Sequence, residues 1–400
     1  MVETGEGGVA LIPAGISSGT YQTIRSLGRR DIGTICASSD RRTPAFASRY
    51  CGAKWIVPDP ETDLHEYTTS LLDRIRDASD GDRPVRTVIP CREIDAFVLS
   101  KYRDVFEEHV SLVVPSLDTL RKVHDRKRLF DAAAKAGVPI PNTRLLTDVS
   151  EWDSPQLIKS RYNLLTNDYV DAHPPGKPKE VKRITHVDPA DPPDVDAVCE
   201  EMGHVPIVQE FVPYGGKYMV AALYQDGEAL STFQHEQIRG DSYVGGGGVY
   251  RRSVHIDELE TAATTLLDHL EWTGLACLEY IRDSETGEFK LLEINPRIWQ
   301  SLPSTVHAGA DFPYDYWLAA TGRADEIDPS SELGVGTHML YGELKYLNSI
   351  RRDDSPYVER PKLWSEIAAV AGSCVREPHF DFLALDDPRP FLRGVRAFLT

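Results

Sequence analysis

The 400-residue sequence has no run of 18 consecutive apolar residues, and its six cysteines include no C-x-x-C pair. The missing apolar run predicts that no transmembrane helix is present. The N-terminal stretch, Met1 to Glu6, is acidic and has no basic segment, which argues against a secretory signal peptide. The scattered cysteines predict reduced, mostly buried thiols and exclude a disulfide framework or zinc site. These absences favour a cytoplasmic location.

Common motifs of nucleotide-binding and hydrolytic enzymes are also missing. No G-x-x-x-x-G-K-[ST] occurs, which excludes a P-loop NTPase, and neither G-x-S-x-G nor H-E-x-x-H is present. A glycine-serine loop at residues 14–20 follows the first predicted strand but does not fit G-x-G-x-x-G. A structural turn and a substrate or anion site at a helix N-terminus are the two interpretations of this loop.

Basic side chains are too few to balance the acidic ones. The chain has 44 Lys and Arg against 62 Asp and Glu, which gives a net charge of -18. This charge argues against nonspecific nucleic-acid binding. The acidic residues are dispersed and arginine far exceeds lysine, which favours a halophilic source, because salt would screen the self-repulsion. An ordinary acidic mesophilic enzyme is the alternative.

The length predicts two or three domains, and 41% apolar residues suffice for packed cores. Strands alternate with helices in the first part of the chain, which predicts a parallel sheet with right-handed crossovers. The predicted strands of this sheet are residues 9–13, 31–37, 85–90 and 111–115. We expect domains at residues 1–118, 119–325 and 326–400. The last should be helical at residues 338–350, 363–370 and 388–399.

The densest group of chemically useful side chains lies near residue 293. Glu293, Asn295 and Arg297 alternate after an apolar run, so a strand would place all three on one face. Glu279 ends an upstream apolar run, and residues 282–288 read as a hairpin turn. Carboxylate and carboxamide oxygens suit Mg²⁺, and an arginine beside them suits a phosphoryl oxygen. Two paired strands would therefore form a metal-nucleotide site.

This strand pair resembles the ATP-grasp superfamily, in which an acidic residue and a later E-x-N-P-R hold the magnesium ions of ATP. The resemblance covers about residues 9–325 and is nearest to carboxylate–amine ligase-like members. It implies an α/β chain: an N-terminal parallel-sheet domain, a two-subdomain α+β ATP-grasp fold, and a small C-terminal helical extension. It also implies ATP and Mg²⁺ as cofactors, with Mn²⁺ as the alternative metal. Glu279, Glu293 and Asn295 would be the metal ligands.

The resemblance extends to positions that would contact the phosphates. Arg126 begins an alanine-rich helix at the spacing of the superfamily's entry helix, so it would reach the ATP phosphates, with Lys127 as the alternative. Lys159, at the end of a strand, would bind a phosphate. Residues 161–183 have no glycine-rich phosphate loop, so no contact is assigned there.

A second group of positions would contact the adenosine and the transferred group. Residues 205–213 resemble the adenine hinge, in which Glu210 and the backbone at Phe211 and Val212 would read the base. Lys217 stands where many relatives hold the ribose with an acidic residue, so ribose recognition must differ. Among the basic residues near four consecutive glycines at 245–248, Arg239 is preferred over Arg251 and Arg252 for the transferred phosphate and the acceptor.

The resemblance implies a two-step reaction on small-molecule substrates. ATP would phosphorylate a carboxylate, and an amine would then displace phosphate from the acyl phosphate, while Arg297 stabilises the transferred phosphoryl. A phosphotransferase and a nucleotide-binding regulatory protein without ligase activity are the alternatives. No nucleic-acid or membrane partner is expected, and a homodimer is left open.

Overall fold

The computed structural model describes residues 7–13, 17–79, 81, 83–181, 183–354 and 358–399. The glycine-serine loop expected at residues 14–20 lies partly outside the described residues, because 14–16 are not among them. The helix after it begins at Ser18, where the hydroxyl of Ser17 accepts from the backbone N–H of Thr20 as an N-cap.

A four-stranded parallel sheet forms the first part of the chain, in the spatial order β3-β2-β1-β4. Three of the four predicted strands are confirmed. The strand expected at 111–115 is wrong: Ser111 makes one isolated bridge, and the Val113 N–H donates to the Tyr316 hydroxyl instead of to a neighbouring strand. The elements are β1 Val9–Pro13, α1 Ser18–Gly28, β2 Gly33–Ser38, β3 Ala53–Ile56, α2 Leu64–Ser79, β4 Val85–Val88, α3 Glu93–Lys101 and α4 Arg103–Glu107.

Two helices lead into a smaller antiparallel sheet of order β5-β10-β6-β9, beside which β7 and β8 pair separately. Its own apolar core includes Ile158, Val208 and Met202. The elements are α5 Leu117–His124, α6 Arg126–Lys135, β5 Thr143–Leu145, β6 Gln156–Lys159, β7 Leu164–Leu165, β8 Lys179–Glu180, β9 Ile184–Val187, α7 Val195–Met202 and β10 Ile207–Glu210.

A six-stranded antiparallel sheet of order β15-β14-β11-β12-β13-β16 follows. β11 and β12 form a hairpin across Asp226-Gly227, whose φ of 52° and 82° are the positive values of a type I′ turn. The four glycines at 245–248 begin a strand. The elements are β11 Tyr214–Gln225, β12 Glu228–Ser242, β13 Gly245–Val254, α8 Asp257–His269, β14 Gly274–Asp283, β15 Phe289–Asn295, α9 Leu302–His307, α10 Phe312–Ala320 and β16 Gly336–His338.

The two faces of this sheet bury different residues, because side chains alternate along each strand. Val220, Leu278 and Ile294 face the core that α5, α6 and α8 cover. Met219 and Cys277 face a second core, which is shared with residues of the parallel sheet such as Ile12. The parallel sheet therefore packs against one face of the six-stranded sheet.

The last part of the chain is mostly helical, with α11 Leu340–Arg352, α12 Leu363–Arg376 and α13 Arg389–Leu399. It returns to the parallel sheet, where the Asp387 carboxylate accepts from Ser48 at 2.5 Å and Arg25 pairs with Asp386 at 2.6 Å. Across the described residues, no helix combines the length and the apolar character needed to cross a bilayer. The predicted fold class, a mixed α/β chain with an N-terminal parallel sheet, is confirmed.

Candidate active site

Glu279, Glu293 and Asn295 lie on one face of the six-stranded sheet. Glu279 is directly opposite Glu293 in the β14–β15 pair, and Cys277 is opposite Asn295. Cross-strand partners share a face, so both carboxylates and the carboxamide project to the same side. The Asn295 amide donates to Glu293 Oε1 at 3.1 Å, which leaves a hard oxygen donor set concentrated at one point of the sheet.

Two cations from the smaller sheet's side reach this group. The Arg126 guanidinium, in the first residue of α6, donates to Glu293 Oε2 at 2.8 Å and to the Ser160 carbonyl at 2.8 Å. Lys159 ends β6, where its ammonium donates to Gln209 Oε1 at 2.6 Å. Burial and the nearby positive charge of Arg126 lower the pKa of Lys159 to about 8, although Glu293 and Glu279 act in the opposite direction. An anion entering here would restore the charged form of Lys159.

Arg297 connects the metal-type residues to the parallel sheet. Its guanidinium donates to Asn295 Oδ1 at 3.1 Å and to Glu93 Oε1 at 2.9 Å. Burial alone would lower the pKa of Arg297, but Glu93 and Glu180 raise it above its ordinary value. His124 Nε2 lies 3.3 Å from the second Glu93 oxygen. Arg297 is therefore held in place by a carboxylate that begins α3.

Sequence reasoning missed Glu93, although a signal for it existed. Glu93 follows β4, at the carboxyl edge of a parallel sheet, where ligand-binding residues of open α/β sheets collect. The sequence alone does not show that this edge packs against the E-x-N-P-R segment. The Ile298 N–H, one residue after Arg297, donates to the Pro90 carbonyl at 2.9 Å, and this bond joins the two segments directly.

The predicted adenine hinge lies at the end of β10, the strand that pairs with β6 in the smaller sheet. The Glu210 carboxylate is 39% exposed and accepts from Lys290 at 2.9 Å, and Lys290 also pairs with Asp283 at 3.0 Å. The Phe211 N–H donates to the Pro155 carbonyl at 3.2 Å, and Val212 is buried. The Glu210 side chain is thus engaged with the β14–β15 hairpin in this structure.

Lys217 shares the face that carries Glu279 and Glu293. Met219 is directly opposite Glu279, and Lys217 lies two residues away on the same strand, so both side chains point to the same side. Lys217 is in register with Gln237, and Gln237 is in register with Arg251. Lys217 and Gln237 both donate to the carbonyl of Gly246, at 3.4 and 3.3 Å. The glycine segment therefore folds over this row of polar side chains.

No protein-family model matches the chain, and neither does any curated protein. Solved structures are similar to it. An N5-carboxyaminoimidazole ribonucleotide synthetase in its ADP complex is 17% identical with a TM-score of 0.59, over 82% of this chain and 80% of that one. The biotin carboxylase domain of Hydrogenobacter thermophilus 2-oxoglutarate carboxylase, solved with MgADP, is 14% identical with a TM-score of 0.57, over 82% and 72%. An L-amino acid ligase from Bacillus licheniformis is 15% identical with a TM-score of 0.56, over 83% and 79%.

This chain has the ATP-grasp fold. Identities of 14–17% establish the arrangement of the chain and not its substrates. In this chain, Lys159 of the smaller sheet interacts electrostatically with Glu279 and Glu293 of the six-stranded sheet.

The structure brings seven of the predicted site residues together: Arg126, Lys159, Lys217, Glu279, Glu293, Asn295 and Arg297. Glu210 instead contacts Lys290, and Arg239 also lies apart from this group. A bulge between Gln237 and Arg239 shifts the register of β12. The Arg239 guanidinium then donates to both oxygens of Glu343, at 2.8 and 2.9 Å, and lies over the rings of Tyr250 and Tyr346. This contact directs Arg239 to α11 and away from the ATP-grasp site.

Glu343 also belongs to a group, with His338 and Cys374, whose possible ligand atoms lie within 4.8 Å of one another. The guanidinium of Arg239 already neutralises this carboxylate and opposes a cation there.

From the sequence, Arg239 is preferred to Arg251 for the transferred phosphate. In the structure, Arg251 lies on the same face of the six-stranded sheet as Lys217. Its guanidinium is fully buried and donates to Asp381 at 2.7 Å, while its Nε and Nη1 have no hydrogen-bond partner among the described residues. His235, on the same face, donates to or accepts from the Ser301 hydroxyl at 2.9 Å. Burial, with the charge of Arg251, lowers the pKa of His235 to about 3, so the imidazole is neutral.

A cleft of about 250 Å³ opens at the carboxyl edge of the parallel sheet. Its walls carry four carboxylates, of which Glu180 also interacts with Glu93 and Arg297. The one cation in the wall, Arg92, is already bound by Asp95 at 2.7 Å. The lining residues are Ser38, Ser39, Asp40, Thr43, Asp59, Pro60, Glu61, Arg92, Ile94 and Glu180.

Proposed function

We propose that this protein is an ATP-dependent, ADP-forming ligase that joins a carboxylate to an amine through an acyl phosphate. One observation carries the proposal. Glu279, Glu293 and Asn295 share one face of a sheet and are surrounded by three cations from three different parts of the chain. Such an arrangement suits a metal-bound polyphosphate, because charge is balanced only when an anionic ligand is present beside the metal.

The nucleotide would bind between the smaller sheet and the six-stranded sheet. Phe211 and Val212 would contact the adenine with backbone groups, and Glu210 would fix the hinge from outside. Lys159 and Arg126 would bind phosphate oxygens, because each lies beside the carboxylates that would hold the metal. Lys217 is placed on the same face, where an ammonium would contact the phosphates or the ribose.

The donor set fits Mg²⁺, and Mn²⁺ as the alternative, because it consists of two carboxylates and one carboxamide. Glu279, Glu293 and Asn295 would hold the metal. When bound, Mg²⁺ would neutralise the triphosphate and the leaving ADP. The Arg126 guanidinium pairs with the Glu293 carboxylate at 2.8 Å, which balances this mostly buried charge.

The chemistry needs no covalent intermediate on the protein. A substrate carboxylate oxygen would attack the γ-phosphorus and release ADP. The amine nitrogen would then attack the acyl carbon, and phosphate and a proton would leave. Arg297, held by Glu93, would bind the transferred phosphoryl. The acidic cleft beside Glu180 would take the amine, because its carboxylates favour a cationic group.

The proposal includes the division of the chain at residues 118 and 325, a cytoplasmic location, and small-molecule substrates. A screen of ADP release tests it. Purified protein with ATP and Mg²⁺ is incubated with pools of carboxylates and amines at high salt. We expect ADP release that requires a member of each pool and is absent in Glu293→Gln.

The alternatives give different products in this screen. A phosphotransferase would release ADP without an amine and leave a stable phosphorylated acceptor. A regulatory protein would bind ATP and release no ADP with any pool, and this result would contradict the ligase proposal.

A further inference from the structure

One helix of the C-terminal part presents an apolar stripe to solvent. Trp364 is 79% exposed and Val375 is 80% exposed, and Ala368 and Ala371 between them are exposed as well. These four positions are spaced by four, three and four residues, so they lie on one side of α12. No described segment of the chain packs over this stripe.

Charge is depleted on the same helix. The 14 residues of α12 include two charged side chains, Glu366 and Arg376, in a chain in which 26% of residues are charged. The Glu366 carboxylate accepts from the Tyr346 hydroxyl of α11 at 2.8 Å, so it belongs to the inner side of the helix. A surface helix that carries a tryptophan and almost no charge has the composition of a protein–protein contact.

The spacing of the stripe fits a second copy of the same helix. Four, three, four is the same sequence of intervals read from either end of α12. In an antiparallel pair of α12 helices, Trp364 of one copy would therefore face Val375 of the other, and Ala368 would face Ala371. A two-fold interface requires this kind of self-complementarity. The small side chains at the centre let the two helix backbones approach closely, while the large ones pack at the ends.

We propose that α12 is the contact of a homodimer of this chain, with two copies of the helix packed antiparallel about the point between Ala369 and Val370. A membrane surface fits the stripe less well, because interfacial helices carry several basic residues beside the apolar face and here Arg376 stands alone. The dimer does not depend on the ligase proposal. Each copy has a net charge of -18, so association should strengthen as salt screens the repulsion between copies.

Sedimentation equilibrium of the full chain tests the dimer. We expect the wild type to be dimeric at about 100 μM. The dimer dissociation constant should be lower in molar KCl than in dilute buffer. Trp364→Asp should weaken the dimer about thirtyfold or more, the loss expected of a buried aromatic anchor, and Val375→Asp should weaken it too. Both residues are exposed, so the variants should keep the wild-type fold, which circular dichroism checks. Leu385→Asp is the matched control, because Leu385 is 95% exposed but lies outside α12.

Cysteine cross-linking tests the orientation. In the antiparallel arrangement, a mixture of Ala368→Cys and Ala371→Cys should form a disulfide-linked heterodimer faster than either variant links to itself. A monomeric wild type in both salts would overturn the proposal. A dimer that survives both Trp364→Asp and Val375→Asp would also overturn it, because the contact would then lie on another surface.

Discussion

Among single residues, the oxygen ligands of β14 and β15 are those on which the proposed metal-nucleotide site depends. Glu293 and Asn295 could be predicted from the sequence because they are two residues apart in one strand, and period two fixes their face. Glu279 could be added because the turn between the strands is short. Glu93 could not, because its contact with Arg297 depends on how two sheets pack. The direction of Arg239 could not be predicted, because a bulge between Gln237 and Arg239 interrupts the alternation of side chains along β12.

Removing a metal ligand should abolish turnover without unfolding the protein. We expect Glu293→Gln and Asn295→Ala each to lower ATP turnover by more than about 100-fold, because each removes an oxygen donor. Glutamine retains a partner for Arg126, so the fold should persist. Glu288→Gln, on the exposed turn of the same hairpin, is the control and should retain activity. Near-normal ADP release by both site variants would reject the metal assignment.

Lys159 gives the binding of ATP a specific pH dependence. Its pKa of about 8 lies below the ordinary value of about 10.4 for lysine, so in the nucleotide-free protein it loses its proton as the pH rises through about 8. Only the ammonium form attracts phosphate strongly. Above pH 8 we therefore expect the ATP affinity to fall by up to about tenfold per pH unit. The unfolded chain binds more protons than the folded chain between these two pKa values, so this group's contribution to the free energy of unfolding rises with pH there.

Calorimetric titration of ATP between about pH 7 and about pH 9.5 measures this effect. Lys159→Arg is the matched variant, because arginine keeps its charge throughout this range, and its affinity should stay nearly constant. If wild type and variant lose affinity with the same slope, the pH dependence arises elsewhere and the phosphate role of Lys159 is rejected.

For the secondary structure, most strands of this chain could be predicted from local sequence patterns. β1, β6 and the β14–β15 hairpin appear where apolar runs and turn residues predict them. The segment at 111–115 looks the same in sequence, but its backbone is bonded by the Tyr316 side chain, which lies about two hundred residues away. Four consecutive glycines are untypical of a strand, yet they begin β13, where Lys217 and Gln237 donate to the Gly246 carbonyl. Both differences come from long-range contacts that no local pattern contains.

The hinge at the end of β10 should control base preference. We expect Glu210→Ala to lower the preference for ATP over GTP by about tenfold, a loss of roughly 1.4 kcal/mol of discrimination. Lys290→Met separates two explanations, since it breaks the pair with Glu210 and leaves the carboxylate in place. If the carboxylate reads adenine directly, Lys290→Met should keep the preference. If it acts by fixing the hinge, both variants should lose it. Unchanged nucleotide preference in both variants would mean that Glu210 has no part in base recognition.

At the scale of the whole molecule, charge dominates the expected behaviour. The 62 acidic and 44 basic side chains leave the surface self-repelling. The Debye length is about 30 Å at 0.01 M salt and about 3 Å at 1 M, so the repulsion adds up across a domain only in dilute buffer. We therefore expect the melting temperature to rise substantially from dilute buffer to molar KCl. ATP binding should survive high salt, because short charge-assisted contacts hold the phosphates.

Thermal melts in a KCl series measure the effect. The Trp364→Asp variant should be melted in parallel, because dimer formation would also raise the melting temperature of the wild type with salt. A rise in the variant isolates the screening of charge within one copy. A flat or falling curve in the variant would reject the halophilic interpretation and leave the ligase proposal unaffected.

If ATP activates a carboxylate as proposed, hydroxylamine should trap the acyl phosphate that forms. Hydroxylamine replaces the unknown amine and converts an acyl phosphate into a hydroxamate. With ATP, Mg²⁺ and the carboxylate pool, we expect a hydroxamate to form in the same amount as ADP. Its formation should require Mg²⁺ and should be absent in Glu293→Gln. ADP formation that does not depend on any carboxylate and yields no hydroxamate would contradict it.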